Sequence, residues 1–272
     1  MLLQTYRVKA RNTSADSENK IHDDATAASF GFRGGLVPGV TVYAYMTAPI
    51  VERFGSDWLE RGSMQVKFHQ PIYDGDEVIV RAEADASADP IKVALTAERD
   101  DGTACATALA TINDRSQWLG EPLPGRYPAK AEFPPLEARP VPSREILVPG
   151  TALGTLTREV LAPDTIALEN LNELLPVYTG PDAVAHPFTL LGLANQILVL
   201  NYRLGPWIHI SSDLINWSTA RNGDEISVRG QIADCFERKG HEFVVLDLLL
   251  VANETRIVLQ VRHTAIYRPR HI

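Results

Sequence analysis

The chain has 272 residues, 45% of them hydrophobic and 22% charged, which provides a sizeable core and excludes a largely disordered protein. Lysine and arginine total 26 against 34 aspartate and glutamate, and the net charge of −8 argues against a general nucleic-acid binder, which needs a basic face. The two cysteines, Cys105 and Cys235, lie far apart, so we expect reduced, buried thiols, with no disulfide framework and no thiolate metal site.

The sequence contains no recognisable targeting or membrane-spanning segment. Its start, MLLQTYRVKA, has too few apolar residues for a secretory signal. The longest apolar stretches, at residues 197–200 and 244–252, are well short of the ~20 residues that a spanning helix needs. We therefore expect a cytoplasmic protein without a membrane partner.

In chain order, the predicted elements form two similar series. The first has an apolar helix at residues 40–54, an extended segment at 62–73, a tight turn at Asp74-Gly75, and strands at 93–98 and 103–112. The second has an apolar helix at 188–202, an extended segment at 210–221, a turn at Asn222-Gly223, and strands at 242–251 and 255–267. Each series predicts one buried helix with several antiparallel strands.

The two turns also share their sequence, DGDEVIVR from Asp74 and NGDEISVR from Asn222, at a shift of 148 residues. This self-match indicates two copies of one unit. Residues 120–142 between them contain seven prolines, which cannot form a ladder strand and predict a semi-rigid connector. We place the boundary near residue 130, giving domains at residues 1–130 and 131–272.

The segment at residues 19–39, just upstream of the first apolar helix, concentrates polar residues and glycines. It holds Asn19, His22, Asp23, Asp24 and four glycines. A histidine near carboxylates is a proton-transfer set, because an unperturbed pKa of ~6.5 makes both of its forms accessible near neutral pH. The alternative is structural: Asp24 caps a short helix starting near Ala25, and His22 only hydrogen-bonds the loop.

The order Asn19-x-x-His22-x-Asp24, followed by Ala28, Gly31 and Gly39, resembles the MaoC-like acyl dehydratases and (R)-specific enoyl-CoA hydratases. The motif covers about residues 17–40, and the repeated pattern resembles a double hotdog over nearly the whole chain. The resemblance implies an α+β fold, the double hotdog, with two tandem antiparallel sheets that each wrap around a central helix.

The resemblance implies reversible addition of water to a 2-enoyl-CoA, which is dehydration of a 3-hydroxyacyl-CoA in reverse, without metal or redox cofactor. It makes His22 the general acid/base, Asn19 a positioning group and Asp24 mostly structural. The backbone N–H of Gly39 would polarise the thioester oxygen at a helix N-terminus. The partner would be an acyl-CoA or an acyl-carrier thioester.

One position departs from the family pattern. Five residues before His22, where the family has a catalytic aspartate, stands Ser17, which carries no proton-accepting charge at neutral pH. Either Asp16, Glu18 or Asp23 supplies the second group, or His22 works differently, or hydration has been lost. Thioester hydrolysis and a non-catalytic acyl-binding or accessory subunit are therefore alternative functions.

Other candidates have weaker support. Arg33 is a candidate for contacting a CoA phosphate, and Thr47, two helical turns after Gly39, for orienting water, although a buried helical threonine more often bonds its own backbone. Tyr43 and Tyr45 are expected in the core. The remaining histidines in strand-like segments are expected to lack paired partners: His69, His209, His241 and His263.

The 148-residue shift also indicates that the second copy is not catalytic. It maps His22 to Asn170, Asp24 to Asn172 and Gly39 to Pro187, so the acid/base residue and the helix N–H donor are both absent. We expect the second copy to be a structural partner that shapes the acyl pocket. The chain would then be an internal pseudo-dimer, and further homodimerisation is left open.

Overall fold

The computed structural model describes residues 1–112, 122, 127–128, 130–160, 171 and 175–270. Within them the strands are β1 Tyr6–Lys9, β2 Ser63–Phe68, β3 Glu77–Asp85, β4 Ile91–Arg99, β5 Ala104–Ile112, β6 Leu156–Glu159, β7 Ile208–Asn216, β8 Glu225–Arg238, β9 His241–Ala252 and β10 Arg256–Arg268. All pair antiparallel in one sheet, in the order β1-β3-β4-β5-β2-β7-β10-β9-β8-β6. The two expected sheets therefore meet edge to edge, through β2 and β7.

Two long helices pack against this sheet. The helices are α1 Asp24–Ser29, α2 Gly39–Phe54, α3 Ser56–Arg61 and α4 Pro187–Asn201, with 3-10 turns at Lys20–His22, Leu136–Ala138 and Pro176–Tyr178. The predicted helices at 40–54 and 188–202 are confirmed to within one residue. Every residue of α2 from Val40 to Val51 is buried, as expected for a helix that is apolar on all sides. The predicted core positions Tyr43 and Tyr45 are 1% and 0% exposed.

The seam between the two copies is symmetric in sequence. In it Ser63 pairs with Ile215 and Lys67 pairs with Ser211. At the shift of 148 residues, Ser63 corresponds to Ser211 and Lys67 corresponds to Ile215. Each of the two pairs therefore maps onto the other. The copies are thus related by a pseudo-twofold axis through the middle of the sheet, which is the α+β double-hotdog architecture.

The two matching turns adopt the same conformation. Gly75 has φ of 81° and Gly223 has φ of 82°, the left-handed region that glycine enters at low cost. The aspartate after each glycine accepts a backbone N–H three residues back, Asp76 from Tyr73 at 3.0 Å and Asp224 from Arg221 at 2.7 Å. The tight turns predicted at Asp74-Gly75 and Asn222-Gly223 are confirmed.

The connector begins to associate with the second copy before residue 130. The Tyr127 hydroxyl donates to Asp247 on β9 at 3.0 Å and accepts from Gln260 on β10 at 2.8 Å. The domain boundary near residue 130 stays a prediction.

Of the two cysteines, Cys105 is buried as expected, whereas Cys235 is only partly buried, and both are free thiols.

Candidate active site

A cavity of about 250 Å³ lies between the two copies, beside the N-terminus of α2. The first copy contributes the polar motif, the start of α2 and the end of β2 to its wall. The second copy contributes α4 and the beginning of β7. The lining includes Asn19, His22, Leu36, Gly39, Phe68, Asn195, Trp207, His209 and Ile266. Neither copy alone encloses this space.

His22 stands at the end of the 3-10 turn with its ring oriented by the backbone. The Nδ1 atom donates to the carbonyl oxygen of Leu36 at 2.7 Å, and because a carbonyl can only accept, Nδ1 carries the proton. The other nitrogen, Nε2, is then an acceptor, and it lies 3.3 Å from Nδ2 of Asn19. Burial lowers the pKa of His22, opposed in part by the Leu36 bond, which stabilises the proton on the ring. His22 is thus a neutral base near pH 7.

Asn19 joins the segment that holds His22 to the second copy. Its Oδ1 accepts the backbone N–H of Trp207 at 3.1 Å, and its Nδ2 donates to the carbonyl of the same residue at 3.0 Å. The same Oδ1 caps the 3-10 turn by accepting from Ile21 N–H at 3.4 Å. This buried amide fixes the position of the His22 turn relative to the chain that enters β7.

The carboxylates of the motif have structural contacts. Asp23, rather than Asp24, caps α1, because its side chain accepts from Thr26 N–H at 2.8 Å and α1 begins at Asp24. Asp24 accepts from Gly35 N–H at 2.7 Å and so fastens α1 to the loop that leads into α2. The expectation that Asp24 caps the short helix is therefore wrong, because Asp23 is the capping residue. The bond between Asp24 and Gly35 agrees with the expectation that Asp24 is mostly structural.

The residues around the departure from the family pattern lie outside the cavity wall. The Ser17 hydroxyl donates to the Asn19 carbonyl at 3.4 Å, and Asp16 and Glu18 are exposed. Among the described residues that line the cavity, none is an aspartate or a glutamate. The structure therefore brings Asn19, His22 and Gly39 together, but it does not place Ser17 or a replacing carboxylate with them.

Gly39 is the first residue of α2, and its surroundings explain why it is a glycine. The N–H groups of Thr41 and Val42 bond to the Pro38 carbonyl, which leaves those of Gly39 and Val40 at the open end of the helix. A Cβ at Gly39 would come within 2.8 Å of Nδ1 of His209. The space gained by having no side chain is thus filled by the His209 ring.

The two weaker candidates lie apart from His22. The Thr47 hydroxyl is fully buried and donates to the Ala44 carbonyl at 2.8 Å. Thr47 thus bonds the backbone of its own helix, which was the alternative to a role in orienting water. The Arg33 guanidinium is 62% exposed, pairs with Asp76 at 2.5 Å and stacks 4.2 Å from the centre of the Tyr73 ring. Neither residue belongs to the cavity lining among the described residues.

The sequence analysis did not predict that His209 and His263 form a buried pair. His209 Nε2 lies 2.8 Å from Ser212 Oγ, and the same oxygen lies 3.1 Å from His263 Nδ1. The expectation that His209 and His263 lack partners is therefore wrong. His69 contacts the Thr107 hydroxyl at 2.7 Å, and His241 accepts from Arg270 N–H at 3.2 Å, so the expectation fails for them as well. The link to His263 depends on the register of β7 and β10, in which His263 faces Ser212, and no local sequence signal gives that register.

The second copy has a counterpart of the cavity that is nearly closed. Shifting Val37, Gly39, Val42, Phe68, Gln70, Pro71 and Ile72 by 148 gives Ala185, Pro187, Leu190, Asn216, Ser218, Thr219 and Ala220, and all seven line a space of only about 10 Å³. Pro187 offers no N–H at the start of α4, and the His186 ring caps this end by accepting from Phe188 N–H at 3.0 Å. Asn170 and Asn172 lie outside the described residues.

Two kinds of site are absent from the described residues. None of their helices combines the length and apolar character needed to cross a membrane. No cluster of three or more His, Cys, Asp or Glu side chains among them is placed to hold a metal ion.

Comparison with solved structures agrees with the fold. A Chloroflexus aurantiacus protein, whose assignment as a MaoC domain dehydratase is provisional, matches with TM-score 0.63 at 11% identity over 99% of this chain and 96% of its own. A Mycobacterium tuberculosis protein described as having a double hotdog fold matches with TM-score 0.64 at 16% identity, over 97% and 96% of the two chains. A provisionally assigned thioesterase II from Thermobifida fusca matches with TM-score 0.52 at 14% identity, over 98% and 94%.

No family model and no curated protein matches the sequence. At these identities the structural matches establish the double-hotdog fold and not the reaction.

Proposed function

We propose that the protein is an acyl-thioester hydratase, which adds water reversibly to a 2-enoyl-CoA and in reverse dehydrates a 3-hydroxyacyl-CoA. The observation that carries this proposal is the orientation of His22, which lines the cavity with Nδ1 bonded to the Leu36 carbonyl and with the acceptor nitrogen Nε2 3.3 Å from Nδ2 of Asn19. The open N-terminal turn of α2 lies at the same wall. The resemblance of the Asn19, His22 and Gly39 pattern to the MaoC-like dehydratases supports the choice of reaction.

In the hydration direction, His22 Nε2 takes a proton from water while the water oxygen bonds to the β-carbon of the enoyl group. The electron pair of the double bond moves toward the thioester, and the backbone N–H of Gly39 stabilises the negative charge that develops on the carbonyl oxygen. The proton held on the His22 ring then passes to the α-carbon. One histidine thus serves as base and acid in turn, which fits a lining in which no carboxylate is described.

The main test is enoyl-CoA hydration by the wild type and by His22→Gln, followed by the loss of enoyl-thioester absorbance over a range of chain lengths. We expect the variant to lose at least about 100-fold in kcat, because general acid-base catalysis contributes on that order or more. Lys20→Ala is the matched control, since Lys20 is exposed on the same 3-10 turn. Equal rates in wild type and His22→Gln, or no turnover of any chain length, would contradict the proposal.

Thioester hydrolysis is the second candidate. It is favoured by Ser17, which stands where the hydratase pattern has a catalytic aspartate, and by the structural match to the thioesterase assignment. Release of free CoA, detected with a thiol reagent, separates it from hydration, which leaves the thioester intact. If acyl-CoA binds and neither product forms, the protein is instead an acyl-binding or accessory subunit.

Arg33 is proposed to contact the phosphate groups of CoA at the cavity mouth, since its neighbour Phe32 lines the cavity. The guanidinium is held by Asp76 but mostly exposed, so it can pair with a second anion. The small thioesters of N-acetylcysteamine lack these phosphates, and they therefore distinguish recognition of CoA from recognition of the acyl group.

A further inference from the structure

The buried cluster of His209, Ser212 and His263 has no part in the reaction as described above, yet one of its members, His209, lines the same cavity. His209 is 8% exposed, and both Ser212 and His263 are fully buried. The two imidazole rings stack with centroids 4.1 Å apart, and Phe68 packs edge-on against His209 at 4.8 Å. The side chains are thus held in one arrangement by packing as well as by hydrogen bonds.

Two ring nitrogens of this cluster have no hydrogen-bond partner among the described residues. They are Nδ1 of His209 and Nε2 of His263. Buried polar atoms are nearly always paired, so an unpaired one in a cavity wall indicates a group that a ligand satisfies. The two atoms differ in position, because His209 lines the cavity and His263 does not.

The unpaired nitrogen of His209 lies beside the open end of α2. A Cβ on Gly39 would come within 2.8 Å of this Nδ1, which shows how closely the ring approaches the first residue of the helix. The N–H of Gly39 is the donor already proposed for the thioester oxygen. A ligand oxygen bound at the start of α2 therefore lies near Nδ1 of His209, which belongs to the second copy.

The chain of hydrogen bonds decides which nitrogen carries the proton. If Ser212 donates to His263, then the unpaired N–H falls on Nε2 of fully buried His263, and buried N–H groups without a partner are rare. If His263 Nδ1 donates to Ser212 and Ser212 donates to His209 Nε2, the unpaired N–H falls on His209 Nδ1, next to the cavity. The second arrangement places the orphan donor on the ring that lines the cavity and packs against Gly39.

We propose that Nδ1–H of His209 is a second hydrogen-bond donor to the thioester carbonyl, acting with the N–H of Gly39, and that Ser212 and His263 hold His209 in the required tautomer. This inference rests on the proposed binding of an acyl thioester, and it serves hydration and hydrolysis equally, since both develop charge on that oxygen. No proton is transferred in this role. His209 lowers the barrier by polarising the carbonyl.

The burial of the pair suits a neutral donor. Burial lowers the pKa of His209 well below its usual value, with a further contribution from the neighbouring His263. Burial also lowers the pKa of His263 to about 3. Both rings are therefore uncharged near pH 7, and a neutral imidazole can polarise a carbonyl without giving up a proton.

The tautomer can be tested on the wild-type protein without any ligand. Nitrogen-15 NMR of histidine-labelled protein at pH 7, with His209→Phe used to assign the resonances, distinguishes protonated from bare ring nitrogens. We expect His209 to carry its proton on Nδ1 with Nε2 bare. A proton on Nε2 of His209 overturns the proposal whatever the enzyme's reaction proves to be.

The contact with the carbonyl is tested with an unreactive probe, a saturated 2-oxoalkyl thioether of CoA, whose ketone can be neither hydrated at a double bond nor hydrolysed. We expect its C=O stretching frequency to fall on binding to the wild type and to return toward the free value in His209→Phe. A shift that is unchanged in His209→Phe overturns the role of His209 alone. If the probe does not bind the wild type, the proposed function is overturned. The contact between His209 and a thioester is then overturned as well.

Kinetics give a further measure in whichever reaction the wild type performs. We expect His209→Phe to lower kcat about 100-fold with KM little changed, because one donor to a developing oxyanion contributes on this order. Ser212→Ala should lower kcat in the same sense, and Ser227→Ala is its matched control, a buried strand serine that bonds Val251 away from the cavity. Equal effects of the two serine variants contradict a role for the cluster.

Discussion

At the scale of single residues, three histidines lie in or directly behind the cavity wall. His22 is oriented by the Leu36 carbonyl, and His209 is oriented by Ser212 and His263. Burial lowers the pKa of all three imidazoles, so the folded protein holds them neutral at a pH where an unfolded chain begins to protonate them. Their uncharged state is therefore coupled to stability.

This coupling predicts acid sensitivity. Below pH ~6.5 the unfolded chain binds protons that the folded His209 and His263 do not, so the free energy of unfolding falls as pH falls. The slope should reach about 1.4 kcal/mol per pH unit for each imidazole that stays neutral. Denaturant unfolding between pH 7 and pH 4, roughly the window set by these histidines, measures it. Other groups contribute to the total, but a His209→Phe, His263→Phe double variant should have a shallower slope, and an identical slope contradicts the prediction.

At the scale of elements, the two long helices differ at their N-termini although they are copies of one unit. Helix α2 begins with Gly39 and an open turn, whereas α4 begins with Pro187 and a histidine cap. Only the first can offer an N–H to a ligand. Because Gly39 has no side chain, the His209 ring on β7 can pack against the start of α2. Gly39 therefore affects both the open helix end and the packing between the two copies.

A pair of glycine substitutions tests this use of Gly39. Gly39→Ala forces a Cβ against the His209 ring and should lower the free energy of unfolding by about 1 to 3 kcal/mol, the usual effect of overpacking. Gly192→Ala within α4 meets no atom within 4 Å and should instead be neutral or stabilising by up to about 1 kcal/mol. Urea unfolding compares the two. The loss at Gly39 should shrink in a His209→Ala background, and an unchanged loss contradicts the proposed contact.

At the scale of the whole molecule, the ten-stranded sheet joins the two copies edge to edge, and the cavities beside the two long helices differ in size. About 250 Å³ is open beside α2, against about 10 Å³ at the counterpart beside α4. The second copy supplies Trp207 and His209 to the wall of the larger cavity. Asn19 fixes this arrangement through both of its bonds to Trp207.

The asymmetry predicts one ligand per chain. Titration calorimetry with the 2-oxoalkyl thioether of CoA should give a stoichiometry near one, because the counterpart cavity is too small for an acyl group. Trp207→Ala removes a wall residue of the open cavity and should weaken binding, whereas Leu59→Ala, at the shifted position beside the closed one, should leave the stoichiometry at one. Two equivalent sites per chain would contradict the assignment of the second copy as a wall.

Local sequence patterns were sufficient for the two units, their central helices, the matching turns, and the segment that holds Asn19 and His22, because periodicity, turn dipeptides and motif spacing depend on neighbours in the chain. They did not reveal the Asn19–Trp207 link or the cluster of His209 and His263. Those depend on how β7 meets β2 and β10 and on which ring fills the space beside Gly39. Contacts between residues up to 188 positions apart follow from strand register and packing, and these were decided only by the tertiary structure.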